Sequence, residues 1–248
     1  MLDARRFAFT YWDYQMKNAP ILALFLFCCP ALLAQEAHNT LSAKEKEAGW
    51  ELLFDGKSMD HFRNYRKDKV GEGWEVKDGE IHWVAKRAGD IITKQAYMAF
   101  EFTVDYKISK GGNSGLMFHV TEDGNTPWKT GPEIQIQDNK DGHDPQKAGW
   151  LYQLYKPEEG VDATKPAGEW NTLHILITPE KCEQYMNGTK YCEYVKGGDD
   201  WNERVAKSKF SKMPLFGKPN NGHICLQDHG NIVAFRNIKV RRVKPSMK

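Results

Sequence analysis

The residues with the clearest capacity for chemistry lie in one short run, Glu133-Ile-Gln-Ile-Gln-Asp138. Strand alternation buries the two isoleucines and places Glu133, Gln135 and Gln137 on the opposite face. Their hydrogen-bonding groups then repeat about every 6.6 Å along the strand, a spacing that suits the hydroxyls of a bound sugar. An ordinary solvated strand face is the alternative interpretation.

Three further titratable groups are predicted near this polar face. Alternation in the strand from 114 to 121 sends His119 to the polar side. Asp138 ends the strand that begins at Glu133, and His229 follows another predicted strand at the rim of a sheet. Carboxylates and imidazoles are the usual general acids and bases of enzymes.

Five other residues are candidates for contacting a sugar from loops or strand ends. They are Asn113, Trp128, His143, Tyr152 and Gln227. Amide groups can bind hydroxyls, and an aromatic ring can stack on a sugar face. For His143, a base, a metal ligand and a solvated loop residue all remain open. The cysteines do not follow a metal-site spacing.

The order Glu-x-Gln-x-x-Asp resembles the Glu-x-Asp-x-x-Glu strand of family-16 glycoside hydrolases, in which a bulge brings the last carboxylate onto the face of the first. Glu133 and Asp138 take the outer places, but Gln135 replaces the middle Asp. Retaining hydrolysis uses two carboxyl groups about 5–5.5 Å apart, one of them kept protonated. Loss of the middle acid argues against that direct mechanism.

The elements that position these residues are predicted to be β-strands. From Trp50 onward, short alternating apolar runs are separated by Gly, Asn, Asp and Pro, which is typical of an all-β sandwich. The run Phe100 to Ile108 alternates throughout. Later strands are predicted at residues 114–121, 133–137, 150–155, 170–178, 183–186, 189–195, 223–227 and 232–240. One short helix is predicted at residues 200–210.

The composition excludes some classes of protein. Hydrophobic residues make up 40% of the chain and charged residues 27%, which is typical of a soluble protein with a sizeable core. The net charge of +2, without a long basic run, argues against nucleic-acid binding. One domain is predicted over 49–243, after a polar segment, 35–48, that is a short helix or a tail; residues 244–248 form a C-terminal tail.

The N-terminus has the layout of a secretory signal peptide, predicted over residues 1–34 with Met16 as an alternative start. The apolar run from Ala19 to Leu33 is interrupted by prolines and is shorter than the about 20 residues that a membrane span needs. The residue before Cys28 is a phenylalanine, too large for a usual lipoprotein cleavage site. We therefore expect an exported protein, periplasmic or extracellular, with neither a stable membrane span nor a lipid anchor.

Two of the cysteines in the predicted mature chain flank a strong hairpin signal. Cys182 and Cys192 lie on either side of Asn187-Gly188, a dipeptide typical of a two-residue β-turn. A cross-strand disulfide and two buried free thiols are both open. Cys225 would have no partner.

Several motifs, taken in order, resemble the bacterial 3-keto-disaccharide hydrolase family. These motifs are Trp50-Glu-Leu-Leu-Phe-Asp-Gly-Lys, Gly112-Asn-Ser-Gly-Leu, Glu133-Ile-Gln-Ile-Gln-Asp, Glu169-Trp-Asn, Met186-Asn-Gly, Lys207-Ser-Lys-Phe, Leu226-Gln-Asp-His-Gly and Phe235-Arg-Asn-Ile. The resemblance implies a concanavalin A-like jelly-roll sandwich of two antiparallel sheets and a saccharide or 3-keto-glycoside substrate.

The family name also implies a mechanism. A ketone at C3 of a glycoside acidifies the C2 proton, so a base can remove it and the aglycone can leave from C1 before water adds. On this resemblance Glu133 or His119 is the base, Asp138 or His229 is the acid, and Gln135 holds the substrate. A divalent ion could stabilise the enolate, although no ligand triad is visible in the sequence.

Two other classes of function remain open from the sequence. A non-catalytic carbohydrate-binding module would present the same Gln, Trp and Tyr groove without needing Glu133. A structural or adhesive lamin-G-like domain would bind no sugar at all.

Overall fold

The computed structural model describes residues 38–85 and 87–244. The helices are α1 (Ala43–Glu47) and α2 (Asp199–Lys207), with 3₁₀ turns at Pro127–Lys129 and Lys209–Lys212. The strands are β1 (Trp50–Leu52), β2 (Phe62–Asn64), β3 (Trp74–Lys77), β4 (Glu80–Trp83), β5 (Ile91–Thr93), β6 (Phe100–Ile108), β7 (Asn113–Val120), β8 (Glu133–Gln137), β9 (Asn171–Ile177), β10 (Cys182–Met186), β11 (Thr189–Tyr194), β12 (His223–Leu226) and β13 (Val233–Arg242).

These strands form two antiparallel sheets. The larger sheet has the order β11-β10-β9-β6-β13-β4-β3, with β1 also paired to β13. The smaller sheet has the order β2-β5-β12-β7-β8. Neighbours in each sheet are often distant in the chain, which is the pattern of a jelly-roll sandwich. The predicted all-β fold class is confirmed.

The main core lies between the two sheets. In β6 every second residue is buried, from Phe100 to Ile108, as the alternation predicts. These side chains pack with Leu116, Ile134 and Ile136 of the smaller sheet. The two isoleucines of β8 are therefore in the core, and Glu133 starts the opposite face of that strand.

The outer face of the smaller sheet has its own small apolar cluster. It consists of Ile92, Met117, Val120 and Cys225, from β5, β7 and β12. Because residues two apart in a strand share a face, the positions next to this cluster in β5, β7 and β12 are Asp90, Gly115 and Gln227. Together with Glu133 and Gln135 of β8, these positions give the outer face a polar region.

Some predicted elements differ from the structure. Residues 150–155 form a turn rather than a strand: Leu151 makes one isolated bridge to Ile134 of β8 and another to Tyr155 within the turn. The segment 35–48 contains helix α1, whose Ser42 and Glu45 form a reciprocal capping box. The signal-peptide prediction lies outside the described residues.

The possible cross-strand disulfide is not formed. Asn187 and Gly188 both have positive φ and make the predicted hairpin turn, but the ladder pairs Cys182 with Tyr194 and Cys192 with Gln184. A register shift at Gln184/Tyr185 contributes to this offset. All three cysteines of the described chain are buried free thiols, and burial raises the pKa of Cys182 to about 11.

Candidate active site

A pocket of about 350 Å³ lies on the polar outer face of the smaller sheet. Its size is within the usual range for a small-ligand site, roughly 300–1,000 Å³. It is lined by Asp90, Asn113, Trp128, Glu133, Gln135, Asp144, Tyr152, Lys209, Phe210, Met213, Gln227, Asp228 and His229. The predicted residues Glu133, Gln135, Asn113, Trp128, Tyr152, Gln227 and His229 are all in this lining.

Glu133 is the acid at the base of the pocket. Its side chain lies over Gly115 of the neighbouring strand, where a Cβ atom would be only 2.5 Å from Glu133 Oε1. A side chain at position 115 would therefore force the Glu133 carboxyl group to move. The pKa of Glu133 is raised to about 7, mainly by burial. The charges of Asp90 and Asp144 contribute to the rise, whereas Lys209 and a hydrogen bond from Gln227 oppose it.

Asp90 is a second pocket acid that the sequence analysis missed. Burial raises its pKa to about 6, and the negative charge of Asp228 adds to this effect. Its carboxylate accepts a hydrogen bond from the Asp228 amide at 2.9 Å. The available signal was its position directly before the short apolar strand β5, which was not predicted.

Three amide side chains of the pocket lining have acceptor oxygens without a hydrogen-bond partner in the described part of the chain. Asn113 Oδ1, Gln135 Oε1 and Gln227 Oε1 are buried and have no hydrogen-bond partner among the described residues. Gln135 and Gln227 are only 1% and 8% exposed. A buried acceptor without a donor is costly, so this face is suited to a ligand that brings several hydroxyl donors.

The facing wall comes from two segments that cover the sheet. The Tyr152 hydroxyl donates to Asp144 Oδ2 at 2.8 Å, and Lys209 Nζ lies 4.0 Å from the centre of the Tyr152 ring. Phe210 packs edge-on to Tyr152, with ring centres 6.5 Å apart. Asp144 lies in the loop that follows β8 and Lys209 begins the 3₁₀ turn Lys209–Lys212, and neither was predicted as a site residue.

Trp128 and the loop after β12 complete the rim. The Asp228 carboxylate accepts hydrogen bonds from Trp83 Nε1 at 2.7 Å and from the Gly89 and Gly230 amides. Asp228 therefore fixes the geometry of the loop after β12. The neighbouring His229 is exposed and lines the pocket.

The structure does not place His119 on the polar face as predicted. His119 has a φ of +53°, and β7 carries one extra residue between the pairs Met117–Cys225 and Val120–His223. This bulge reverses the alternation, so Val120 joins the outer cluster and His119 turns into the core beside Phe118.

Its surroundings show that His119 is a core residue. Its Nε2 donates to the Met98 carbonyl at 2.8 Å, and its ring meets Phe100 edge-on. Burial lowers the pKa of His119 to about 4. The side chain is neutral near pH 7 and is not among the residues that line the pocket.

Three other predicted residues also lie outside the pocket lining. Asp138 accepts hydrogen bonds from the Gly111 and Lys140 amides and lines a separate surface cleft. Gln137 donates to the backbone carbonyls of residues 144 and 146, at 3.0 and 2.7 Å. It supports the loop carrying Asp144, whereas His143 in that loop is exposed and does not line the pocket.

No group of three or more His, Cys, Asp or Glu side chains within residues 38–85 and 87–244 is arranged to hold a metal ion. In the same part of the chain, no helix is long and apolar enough to span a membrane.

Comparison with known proteins identifies the family. Residues 49–241 match the family described as the 3-keto-alpha-glucoside-1,2-lyase-like domain. The chain belongs to this family. It is 33% identical over 226 residues to the 3-keto-disaccharide hydrolase of Bacteroides thetaiotaomicron, covering 78% of each chain.

Solved structures agree with this assignment. A candidate glycosyl hydrolase from Parabacteroides distasonis is 34% identical, with a TM-score of 0.77 over 84% of this chain and 100% of that one. A second from the same organism is 26% identical, with a TM-score of 0.59 over 78% and 99%. The predicted family is confirmed, and the chain is a glycoside-cleaving enzyme rather than a non-catalytic module.

Proposed function

We propose that this enzyme cleaves 3-keto-glycosides by removing the C2 proton, expelling the aglycone and then adding water. The C3 ketone makes the C2 proton acidic, so a protein carboxylate is a strong enough base. The observation that carries the proposal is the half-buried Glu133 at the base of the pocket, with its pKa raised to about 7. A base with that pKa is both available and effective at neutral pH.

The steps can be assigned to side chains of the pocket. The Glu133 carboxylate takes the C2 proton, and the electrons of that C–H bond form an enolate at C3. The enolate collapses to a C1–C2 double bond as the bond from C1 to the aglycone oxygen breaks. His229, at the exposed rim, supplies the proton that the departing oxygen needs. Water then adds its hydroxyl to C1 and a proton to C2, which completes net hydrolysis.

The remaining pocket residues bind the sugar and adjust the pKa of Glu133. Asn113, Gln135 and Gln227 accept hydrogen bonds from the sugar hydroxyls, and Trp128 offers an apolar surface at the edge. Asp90 keeps Glu133 basic through its negative charge. The mechanism needs one base and one acid on different parts of the pocket, and the positions of Glu133 and His229 in the lining support this assignment.

The test is a comparison of native and 3-oxidised disaccharides with purified wild-type protein and Glu133→Gln. Cleavage confined to the oxidised set, with turnover lost and binding kept in the variant, supports the proposal. Glu75→Gln is a matched control, because Glu75 is exposed on β3 of the other sheet. Turnover by Glu133→Gln at the wild-type rate would remove Glu133 from the mechanism.

We also propose that the enzyme is exported to the periplasm or the cell exterior without a lipid anchor. The support is the layout of residues 1–34, with a basic residue before an apolar run and a small residue at its end. Fractionation of the native host, with the mature N-terminus determined by mass spectrometry, tests this. A cytoplasmic protein with an intact N-terminus, or a lipidated Cys28, would contradict it.

A further inference from the structure

The pocket divides its hydrogen-bonding groups between two walls. The sheet wall contains three buried acceptor oxygens without a partner among the residues that the structure describes, those of Asn113, Gln135 and Gln227. The wall formed by the 3₁₀ turn at Lys209–Lys212 presents an ammonium group, and among the described residues Lys209 is the only lysine or arginine in the lining. This asymmetry restricts how a ligand can lie in the pocket.

The orientation of the amides is set by their own contacts. Gln227 donates a side-chain hydrogen bond to Glu133, which leaves its Oε1 as the free acceptor. Gln135 Nε2 points to the carbonyl of residue 146 at 3.4 Å, which likewise frees its Oε1. Both oxygens need a donor, and a ketone oxygen has none to give.

The surroundings of Lys209 leave its ammonium group able to bind a ligand. Its ammonium stacks over Tyr152 at 4.0 Å and Phe210 at 5.2 Å. It makes no hydrogen bond or ion pair with the described residues, whereas its backbone amide is fixed by Gln153 Oε1 at 3.0 Å. A positive charge facing the site without a carboxylate partner is suited to an oxygen that becomes negative during the reaction.

We propose that Lys209 binds the C3 oxygen of the substrate and stabilises its enolate, while the free hydroxyls bind the amide wall. This inference rests on the proposed function and adds the orientation of the sugar. It makes Lys209 the group that favours an oxidised ring over a native one in the chemical step. Lys209 holds its proton throughout: the C2 proton goes to Glu133, and the negative charge on the C3 oxygen is neutralised by the ammonium.

Lys209 also affects Glu133, because its charge lowers the pKa of that carboxyl. An activity loss in a Lys209 variant therefore has two physical explanations. A pH profile separates them. If Lys209 acted only through Glu133, its removal would shift the acidic limb of the profile upward and leave the high-pH plateau unchanged.

The experiment uses a nitrophenyl 3-keto-glucoside with wild type, Lys209→Met, Lys209→Arg and Lys212→Met. Lys212 lies in the same 3₁₀ turn, is exposed and does not line the pocket. We expect Lys209→Met to lose about 10²–10³-fold in kcat at every pH, Lys209→Arg to retain part of the activity, and Lys212→Met to match wild type. Exchange of the C2 proton in D₂O should slow in parallel in Lys209→Met.

Binding of the unoxidised nitrophenyl glucoside, measured by calorimetry, completes the test. Lys209→Met should bind it within about threefold of wild type, whereas Gln135→Met should lose about tenfold for oxidised and native ligands alike. Recovery of the wild-type kcat in Lys209→Met at high pH would overturn the inference and leave the proposed function standing. If wild type failed to cleave any 3-keto-glycoside, both the proposed function and the inference would be wrong.

Discussion

Replacing Glu133 by Gln should stabilise the fold at alkaline pH while it abolishes turnover. The pKa of Glu133 is raised from 4.5 to about 7, mainly by burial. Between these values the native state binds more protons at this site than the unfolded chain, so the free energy of unfolding falls as pH rises. Above pH 7 the full cost of holding a charged carboxylate in the pocket is present.

The size of the effect follows from the shift. About 2.5 pH units correspond to roughly 3.4 kcal/mol. Glu133 is partly exposed, and solvent screening reduces this to about 1–2 kcal/mol. The neutral amide of the Glu133→Gln variant avoids the cost and can still accept the hydrogen bond from Gln227. The variant should therefore match wild type at pH 4 and exceed it by about 1–2 kcal/mol at pH 8.

Urea unfolding of both proteins at pH 4, 5.5 and 8, followed by tryptophan fluorescence, measures this difference. Glu75→Gln is the control, with no expected pH-dependent change because Glu75 is exposed. A Glu133→Gln protein that is no more stable than wild type at pH 8 would contradict this prediction. It would mean that the carboxylate is well solvated or well paired in the folded protein, and that the pKa of Glu133 is not near neutrality.

Three other substitutions in and around the site have defined outcomes. Asp90→Asn should lower the pKa of Glu133 and shift the acidic limb of the kcat/KM profile to lower pH, whereas complete loss of turnover would make Asp90 itself the base. Gly115→Ala places a Cβ atom 2.5 Å from Glu133 Oε1 and should reduce kcat by about tenfold or more. Circular dichroism should show that the variant is still folded. An unchanged kcat would show that the carboxyl group acts from another position. His119→Phe should keep kcat within about threefold of wild type, because His119 lies in the core. The pKa of His119 is lowered to about 4, so its neutral form stabilises the fold above about pH 6.5 and this stabilisation is lost as pH falls toward 4. In thermal melts over that range, His119→Phe should therefore lose less stability than wild type. A catalytic defect in this variant would contradict the placement of His119 in the core.

The sandwich and one wall of the site could be predicted from local pattern. Alternation in β6 and β8 depends only on which residues are apolar, and a strand has the same two-residue period wherever it packs. Glu133 and Gln135 were therefore placed correctly on one face. The hairpin at Asn187-Gly188 was also predictable, because both positions favour positive φ.

Local pattern failed where the backbone departs from the regular strand. The bulge in β7 adds one residue and exchanges the two faces, so His119 enters the core although the alternation points it outward. The same limit applies to residues 150–155, whose apolar spacing resembles a strand but whose pairing is confined to isolated bridges.

Residue pattern alone was thus sufficient for the fold class, the family and the strand that carries Glu133. The other half of the site depends on tertiary packing. Asp90 and Lys209 are far from Glu133 in the chain, and Asp144 lies in the loop after β8; all three reach the pocket only when their segments pack over one sheet. The chemistry of Glu133 depends on that packing too. A carboxyl group acquires a pKa near neutrality through loss of water and the charges that surround it, and both come from atoms that no short stretch of sequence contains.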